Sequence, residues 1–595
     1  MAVVGIAASA ASAQTRLAVT VGFDGAFRPG APTAVDVEIP PLPAGGPAQL
    51  ILETSALTPQ AGRATVSTTV GFQAVAGAAQ TLSVPVVIED LRRPLRVRLL
   101  VGGRPAAAAD VALDPTRAVG RLVVLVSAVR TGLSVLRRAD PPVVDAYVAA
   151  DALPSEWQEY RGVDLLVLRD IDPARLSDRQ RGALLTWVRL GGRLVVIARP
   201  GVALPAFLTP IMPAYAGPPQ VLRSASDLAA RYSASVPAGP VPIVALVPQP
   251  AALVVRAGGM PVVAAAAEGD GRVSVWGLDP TIPPLADWDG GTRLWAETLG
   301  APAPALADPA ALAGVLDLQV PADRFSHVAA GFLMAVYVGG LAIVRRRRPT
   351  LMGGAAVAVA AVVAVAVFAT LAAGARARST ALSQVVVVQQ APETQVASAL
   401  IVAATAVPYG GVIALRAPDG AAASPVAVIG DLSIRRDGGP TLLTGRMRAD
   451  VPWVFEAATA VPLSASADFA ASGSLTADLP AAGLRDAAVW WHGLVYPLGD
   501  LPGGRSESRV PGAGWRPAGD VVTDQRSPGR FFRAPGSQIP GAITQAPQPL
   551  LIGAWPVALP AFALADPSGG RAAGAEDVVL VLPVRGRPPV PRSVP

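Results

Sequence analysis

Residues 163–198 read VDLLVLRDIDPARLSDRQRGALLTWVRLGGRLVVIA, and this stretch decides the fold predicted for the middle of the chain. Leu165 to Leu168 and Arg193 to Ala198 are short apolar runs, typical of strands buried on both faces of a parallel sheet. Between them, Ser177 to Leu190 separates into an apolar and a polar side, with Ser177 as N-cap and Gly191-Gly192 as the stop. Strand, helix and strand joined by short turns predict a doubly wound α/β layer.

Further strands and a further helix are predicted on both sides of this stretch. Leu122 to Ser127 is a further apolar strand, and Val262 to Ala267 pairs with Arg272 to Leu278 around the hairpin signal Gly269-Asp270-Gly271. Thr292 to Leu299 closes the unit as a short helix. We therefore predict an α/β domain over residues 119–300.

The regions before and after this domain alternate in short apolar bursts separated by Gly, Pro and Asp, without a helical period of useful length. Residues 16–115 predict an antiparallel, immunoglobulin-like β-sandwich. Residues 380–595 predict an all-β region of one domain or two. The chain is thus expected to be multidomain.

Two uncharged apolar runs lie between the α/β domain and the second β region. Residues 327–344 and 351–374 are long enough to cross a hydrocarbon core, and the connection 345–350 carries four arginines. This pattern predicts a two-helix transmembrane hairpin preceded by a linker at 301–326. Because the arginines favour a cytoplasmic turn, we predict a two-pass protein of the cell membrane, in contact with the lipid bilayer, with both large flanks extracytoplasmic.

The amino terminus and the composition agree with export. Residues 1–13 are apolar and end in Ala11-Ser12-Ala13, the small-x-small pattern of a signal peptide, although a basic n-region is missing. The chain has no cysteine, which excludes disulfides, thiolate metal sites and a cysteine nucleophile. The net charge of +6 comes from scattered arginines without interleaved aromatics, so we expect no nucleic-acid partner.

The central segment resembles class I glutamine amidotransferase-like domains, and the form of that fold found in bacterial membrane proteins of unknown function. The matching positions are Tyr160 to Leu168, Leu176-Ser177, Ala183-Leu184, Trp187-Val188 and Gly191 to Val196, then Gly269, Gly271, Arg272, Val273, Asp279, Pro284, Leu285, Trp288, Gly290, Leu294 and Trp295. The resemblance implies an amidotransferase-like or flavodoxin-like domain. Because the catalytic cysteine of the amidotransferases is missing and the two histidines, His327 and His492, lie elsewhere, it implies a pseudo-enzyme.

Ligands of doubly wound sheets gather beyond the carboxyl ends of the strands. The residues at or just past such ends are Ser127, Asp170, Asp172, Arg199 and Asp279, and they are our candidate ligand-binding residues. Asp170, Asp172 and Asp279 could hold a hard cation through carboxylate oxygens. The alternative is that these acids cap turns and helices, which suits Asp172 before Pro173. We therefore predict no resident metal and no cofactor.

Two further motifs have a functional and a structural interpretation. Asp287 and Asp289 could act as acid and base, but a tight turn anchored by Trp288 is favoured, because Asp and Gly are turn formers. Trp490-Trp491-His492 could stack on a carbohydrate, but aromatic residues in strands normally pack across their neighbours.

The sequence favours a non-catalytic, membrane-anchored cell-envelope protein that acts as a scaffold or interaction module with envelope or membrane protein partners. One alternative is a metal-dependent hydrolase that uses the acidic strand ends. Another is a ligand-binding sensor or transport accessory subunit. The sequence contains no GxSxG, HExxH or phosphate-binding GxxxxGK[ST] motif. The absence of a usable histidine or cysteine near the sheet favours the first hypothesis over the hydrolase.

Overall fold

A computed structural model describes residues 15–300 and 381–589, except residues 59–61, 119, most of 128–142, 393, 407–410, 420, 438–439, 448–451, 471, 518–547, 558, 560 and 566–575. Strands contain 54% of the described residues and helices 11%. The fold is therefore mainly β, and its apolar residues form the cores of buried sheets.

The N-terminal region consists of strands that form two sheets around one apolar core. These strands are β1 (Thr15–Arg16), β2 (Ala18–Val21), β3 (Pro32–Ile39), β4 (Gly46–Thr58), β5 (Gly62–Ala74), β6 (Gln80–Val87), β7 (Leu95–Val101) and β8 (Arg104–Val111). The order β2-β3-β6 makes the smaller sheet, and β1-β8-β7-β4-β5 belongs to a larger one. Val35 and Val37 of the first sheet and Leu50 and Leu52 of the second share the core.

The central region contains a mixed sheet with the order β10-β9-β11-β12-β17-β16-β15. Its elements are β9 (Arg121–Val126), β10 (Val143–Val148), β11 (Leu165–Leu168), α1 (Asp178–Arg189), β12 (Arg193–Ile197), β13 (Ala214–Leu222), α2 (Ser226–Arg231), β14 (Val241–Pro248), β15 (Leu253–Ala257), β16 (Met260–Glu268), β17 (Gly271–Trp276) and α3 (Gly291–Leu299). Strands β10, β9, β11, β12 and β17 are mutually parallel, and β16 and β15 are antiparallel additions.

Helix α1 forms where the sequence predicts it. The Ser177 hydroxyl accepts from the Gln180 amide at 3.2 Å, and the Gln180 side chain accepts from the Ser177 amide at 2.9 Å, which completes a capping box. Leu184 and Trp187 face one side of the sheet, while the helix ends before Gly191, whose φ is +113°. The predicted N-cap and stop signals are confirmed.

The prediction of a doubly wound α/β domain is nevertheless wrong as a fold class. Only three α-helices, α1, α2 and α3, are found in the described part of the chain. The β10–β11 connection uses 3-10 turns, and the route from β12 to β17 runs through a β-hairpin insertion. Strand β14 helps to bury both sheet faces, with Leu246 on one side and Ile243 on the other. Continuous apolar strands predict burial on both faces, but they do not determine whether helices or strands provide the cover.

The C-terminal region is all β. Its strands are β18 (Ala381–Gln390), β19 (Val396–Ala406), β20 (Gly411–Arg416), β21 (Ala422–Ala427), β22 (Asp431–Arg436), β23 (Leu442–Met447), β24 (Trp453–Pro462), β25 (Ser466–Phe469), β26 (Ser474–Leu479), β27 (Leu484–Trp491), β28 (Leu494–Leu501), β29 (Gly504–Arg509), β30 (Arg516–Pro517), β31 (Leu550–Ala554), β32 (Ala563–Leu564) and β33 (Glu576–Arg585). Most of them form a sheet with the order β21-β24-β19-β18-β33-β31-β27-β28-β30, and β25, β26 and β29 branch from it.

The N-terminal and C-terminal regions are joined by strand pairing. Strand β22 pairs in parallel with β5, so that β1-β8-β7-β4-β5 continues into β22-β23-β20-β32 as one sheet. The Gly71 amide donates to the Asp437 carboxylate at 3.1 Å beside this pairing. The central region also contacts the C-terminal one, since Gln158 donates to the Ala458 carbonyl at 3.2 Å and Arg161 lies 3.5 Å from Glu456. The three regions therefore form one packed body.

The predicted transmembrane hairpin is not supported. Among the described residues, no helix combines the length and apolar character that a membrane crossing requires. The longest of them, α1, has 12 residues, about 18 Å at 1.5 Å per residue, against about 30 Å of hydrocarbon. The predicted runs 327–344 and 351–374, the loop 345–350, the linker 301–326 and the signal segment 1–13 lie outside the described residues. The two-pass membrane localisation is corrected with the hairpin.

Candidate functional site: the strand-end cluster

Polar side chains meet at one edge of the central sheet, and we call Ser127, Arg169, Asp170, Arg199 and Asp279 the strand-end cluster. Ser127 follows β9, Arg169 and Asp170 follow β11, Arg199 lies just after β12, and Asp279 lies just after β17. Because these strands are parallel neighbours, their carboxyl ends share one edge. The Arg169 amide still bonds to the Val126 carbonyl at 2.9 Å, which holds the start of the cluster in register.

The centre of the cluster is a buried ion pair between Arg169 and Asp279. Arg169 is 4% exposed and Asp279 is 8% exposed. The Arg169 Nε donates to Asp279 Oδ2 at 2.8 Å. The second carboxylate oxygen, Oδ1, accepts from the Thr281 amide at 3.0 Å and the Thr281 hydroxyl at 2.5 Å. Both oxygens of Asp279 are therefore occupied by donors from the protein itself.

The more accessible side of the cluster is formed by Asp170 and Arg199. Asp170 has a φ of +55°, a left-handed conformation that Asp tolerates better than most residues. Its Oδ2 accepts from Arg199 and lies 3.4 Å from the Arg169 guanidinium. Arg199 Nε also lies 3.9 Å from Asp279. Two arginines and two aspartates thus alternate in one network, and their formal charges cancel.

The structure brings together four of the five candidate residues predicted from the sequence. Ser127, Asp170, Arg199 and Asp279 belong to the network, with the Ser127 hydroxyl 3.4 Å from the Arg169 guanidinium. The fifth, Asp172, instead accepts from the Ala174 amide at 3.0 Å and caps the 3-10 turn Pro173–Arg175. The turn-capping alternative therefore describes Asp172.

Sequence reasoning missed Arg169 and Thr281, which contact Asp279 directly. Arg169 had a usable signal, because an arginine directly after a buried strand and before an aspartate is a natural partner for acids at neighbouring strand ends. Thr281 stands two residues after Asp279, in the spacing of an Asx turn. Neither signal identifies Asp279 as the partner until the order of the strands in the sheet is known.

The arrangement does not resemble a cation site. Arginines occupy the positions beside Asp170 and Asp279 at which a metal would have to sit. In the parts of the chain that the structure describes, no group of three or more His, Asp or Glu side chains could hold a metal ion.

The two other motifs have structural contacts. Asp289 accepts from the Ser235 amide and hydroxyl, the latter at 2.8 Å, and these hydrogen bonds lower the pKa of its carboxyl. Trp288 Nε1 donates to the Ser235 carbonyl at 2.6 Å, so that this turn anchors a neighbouring loop. Trp490 is buried among C-terminal strands, and His492 lies in the turn after β27 with its ring 4.0 Å from that of Trp491. His327 lies outside the described residues.

Comparisons with known proteins add little to this geometry. No family model matches the chain, and no curated protein matches it. Among solved structures, an exo-β-1,4-mannosidase from Opitutaceae bacterium strain TAV5 is similar at 18% identity and a TM-score of 0.20, over 31% of this chain and 36% of that one. A TM-score of 0.20 carries no argument about fold or activity. The resemblance to amidotransferase-like domains stays a prediction from the sequence.

Proposed function

We propose that this protein is a non-catalytic scaffold or interaction protein. The observation that carries the proposal is the mutual neutralisation of the strand-end cluster. A general acid, base or nucleophile needs a group that is free to exchange a proton or attack a substrate. Here both oxygens of Asp279 accept hydrogen bonds from Arg169 and Thr281, and the charge of Asp170 is balanced by Arg199 through one of its two oxygens.

The pairing of the outer regions supports a structural role. The sheet that runs from β1 through β5 and β22 to β32 connects residues that are far apart in sequence. Backbone pairing of this kind holds the N-terminal and C-terminal regions in a fixed relation to each other. A rigid frame of three regions suits a protein that positions other molecules.

A turnover screen tests the non-catalytic proposal. Purified full-length protein is offered chromogenic esters, amides, glycosides and phosphate esters, with and without Mg²⁺ or Ca²⁺. We expect no turnover above background. Activity that is lost in Asp170→Asn and Arg199→Met, but kept in Arg175→Met, would overturn the proposal. Arg175 is the matched control because it is exposed and outside the network.

A hydrogen-exchange measurement tests the rigid frame. Amides of β5 and β22 are expected to exchange together and as slowly as those of β18 and β19, which form an extensive pairing within one region. Fast exchange confined to the β5–β22 pairing would show that the outer regions move independently, which contradicts a fixed scaffold.

A further inference from the structure

One short turn of the central region contacts all three regions of the protein. It is the 3-10 turn Trp157–Tyr160, which precedes β11. Because a 3-10 helix has three residues per turn, its successive side chains point about 120° apart. Gln158, Glu159 and Tyr160 are 2%, 4% and 0% exposed, so that three consecutive side chains are buried in three different directions.

Two of these side chains anchor the turn. The Tyr160 ring lies in the core of the central sheet, 5.6 Å from the ring of Trp187 and 6.1 Å from that of Phe23. In another direction, the Gln158 side chain donates to the Ala458 carbonyl of β24 at 3.2 Å. The turn is therefore tied to the central core and to the C-terminal region.

The third side chain, Glu159, lies where the turn meets both outer regions. The turn packs against β3 of the N-terminal region, which carries Asp36. Arg436 is the last residue of β22 in the C-terminal region and lies opposite Val70 of β5, in the pairing that joins the two outer regions. These two charged groups act on the Glu159 carboxyl together with Glu156, which precedes the turn.

The charges at this junction do not balance. Within the described part of the chain, two acids, Asp36 and Glu156, and one cation, Arg436, act on Glu159. An ionised Glu159 would add a third negative charge beside a single positive one, in a place that water barely reaches. Burial, followed by the charges of Glu156 and Asp36, outweighs the attraction of Arg436 and raises the pKa of Glu159 to about 8.

A proton on Glu159 consequently stabilises the packed turn. When the turn opens, the carboxyl reaches water, where its pKa has the ordinary value of 4.5. The packed form binds the proton more tightly than the open form does. Opening therefore becomes easier as the pH rises from about 4.5 to about 8, and above that range the effect is complete.

We propose that Glu159 is a pH-sensitive switch: its neutral form keeps the turn Trp157–Tyr160 packed against β3 beside Arg436, and its ionisation loosens that contact. The segments that loosen are the turn and the part of β3 that it covers. The β5–β22 pairing, which joins the outer regions, stays closed. The switch goes beyond the scaffold function, because it makes the hold of the outer regions on the central one depend on pH.

Hydrogen exchange of the full chain between about pH 6 and about pH 9, corrected for the intrinsic pH dependence of amide exchange, tests the switch. In the wild type, we expect the protection of the turn amides to fall by up to about tenfold per pH unit until about pH 8, and then to level off. In Glu159→Gln, the protection should stay high throughout. Glu38→Gln, which changes an exposed acid on β3, is the matched control and should behave as the wild type does.

Two charge variants should shift this profile in opposite directions, which a merely structural role would not produce. Asp36→Asn removes a repelling charge, so Glu159 should ionise more easily and the protection should level off below about pH 8. Arg436→Met removes the attracting charge, so the fall should continue above about pH 8. Shifts in one common direction, or no shift in either variant, would overturn the proposal.

The proposal is also wrong if the wild type shows no fall with pH, or if Glu159→Gln shows the same fall. A third contrary result is turn amides that exchange as slowly as those of β18 and β19 at every pH, because the turn would then open only with the whole molecule. None of these results bears on the scaffold function, whose test concerns the β5–β22 pairing.

Discussion

The strand-end cluster and the turn at Asp270 place carboxylates in opposite environments: those of the cluster pair with arginines, whereas Asp270 is exposed. In the cluster, each aspartate contacts an arginine, and Asp279 also accepts from Thr281. In the turn between β16 and β17, partial desolvation raises the pKa of Asp270 to about 6. The same residue type is thus part of an ion-pair network in one place and exposed to solvent in the other. Removing one partner of a buried ion pair leaves an uncompensated charge, whereas changing an exposed carboxylate does not, so the two places should differ in their tolerance of substitution.

The largest effect is expected from breaking the central ion pair. Arg169→Met keeps much of the side-chain volume but leaves the charge of Asp279 buried, with Arg199 as its nearest cation at 3.9 Å. We expect the free energy of unfolding to fall by about 3–5 kcal/mol in urea denaturation. The exposed Arg175→Met serves as the control. A double variant Arg169→Met/Asp279→Asn should recover part of the loss, and an additive result would contradict the coupling.

The next effect concerns the turn that holds Asp270. Gly271→Ala places a methyl group against the carbonyl oxygens of Val188 and Gly192, so that the backbone must shift. We expect a loss of about 1–3 kcal/mol in the free energy of unfolding. Gly182→Ala is the matched control, because its Cβ would meet nothing within 4 Å and alanine favours the helix. Equal stability of the two variants would show that the turn is not tightly held.

Glu159 is buried, as Asp279 is, but its pKa is raised, as that of Asp270 is. It is buried near Arg436, but desolvation and the charges of Glu156 and Asp36 outweigh that attraction and raise its pKa from 4.5 to about 8. The folded state therefore binds a proton more tightly than the unfolded chain, and stability is lost as the pH rises from about 4.5 through about 8.

Glu159→Gln should remove this pH dependence. We expect a gain of about 1–2 kcal/mol in the free energy of unfolding near pH 9 and little change near pH 4. The exposed Glu38→Gln serves as the control, and urea denaturation across this range is the measurement. If Glu159→Gln is instead less stable than the wild type near pH 9, the attraction between ionised Glu159 and Arg436 outweighs the cost of desolvation.

The smallest effect is expected at Asp270 itself. Its raised pKa means that ionisation disfavours the folded state, so stability falls as the pH rises from 3.8 to about 6. Asp270→Asn should raise the melting temperature slightly near pH 7.5 and leave it unchanged near pH 3.5. Thermal denaturation of this variant beside Asp287→Asn measures the difference. A lower melting temperature at neutral pH would indicate a protein partner for the carboxylate.

Local signals in the sequence predicted the positions of individual helices and strands better than they predicted how these elements are arranged in the fold. Ser177 as N-cap and Gly191-Gly192 as the stop describe α1, and residues after neighbouring parallel strands do meet at one edge. The predicted doubly wound layer and the membrane hairpin were wrong. An apolar run indicates that a segment is buried away from water. It does not indicate whether a helix, a strand or a lipid bilayer covers that segment.

The cavity between the turn at Asp270 and the C-terminal strands could not have been predicted in this way. Gly269-Asp270-Gly271 was correctly interpreted as a hairpin turn between β16 and β17. Nothing in that turn indicates that Gln390 and Arg585, more than a hundred residues later, line the same cavity. Such a site depends on how two regions dock, and docking leaves no periodic signal in either region.

The sequence by itself determined the strands, the ends of α1, the exclusion of cysteine chemistry and the position of polar residues at strand ends, because these follow from short-range patterns and residue type. Only the tertiary structure decided which charges cancel. The Arg169–Asp279 contact and the isolation of Asp270 depend on distances between segments remote in sequence, and Coulomb and desolvation energies change steeply with such distances.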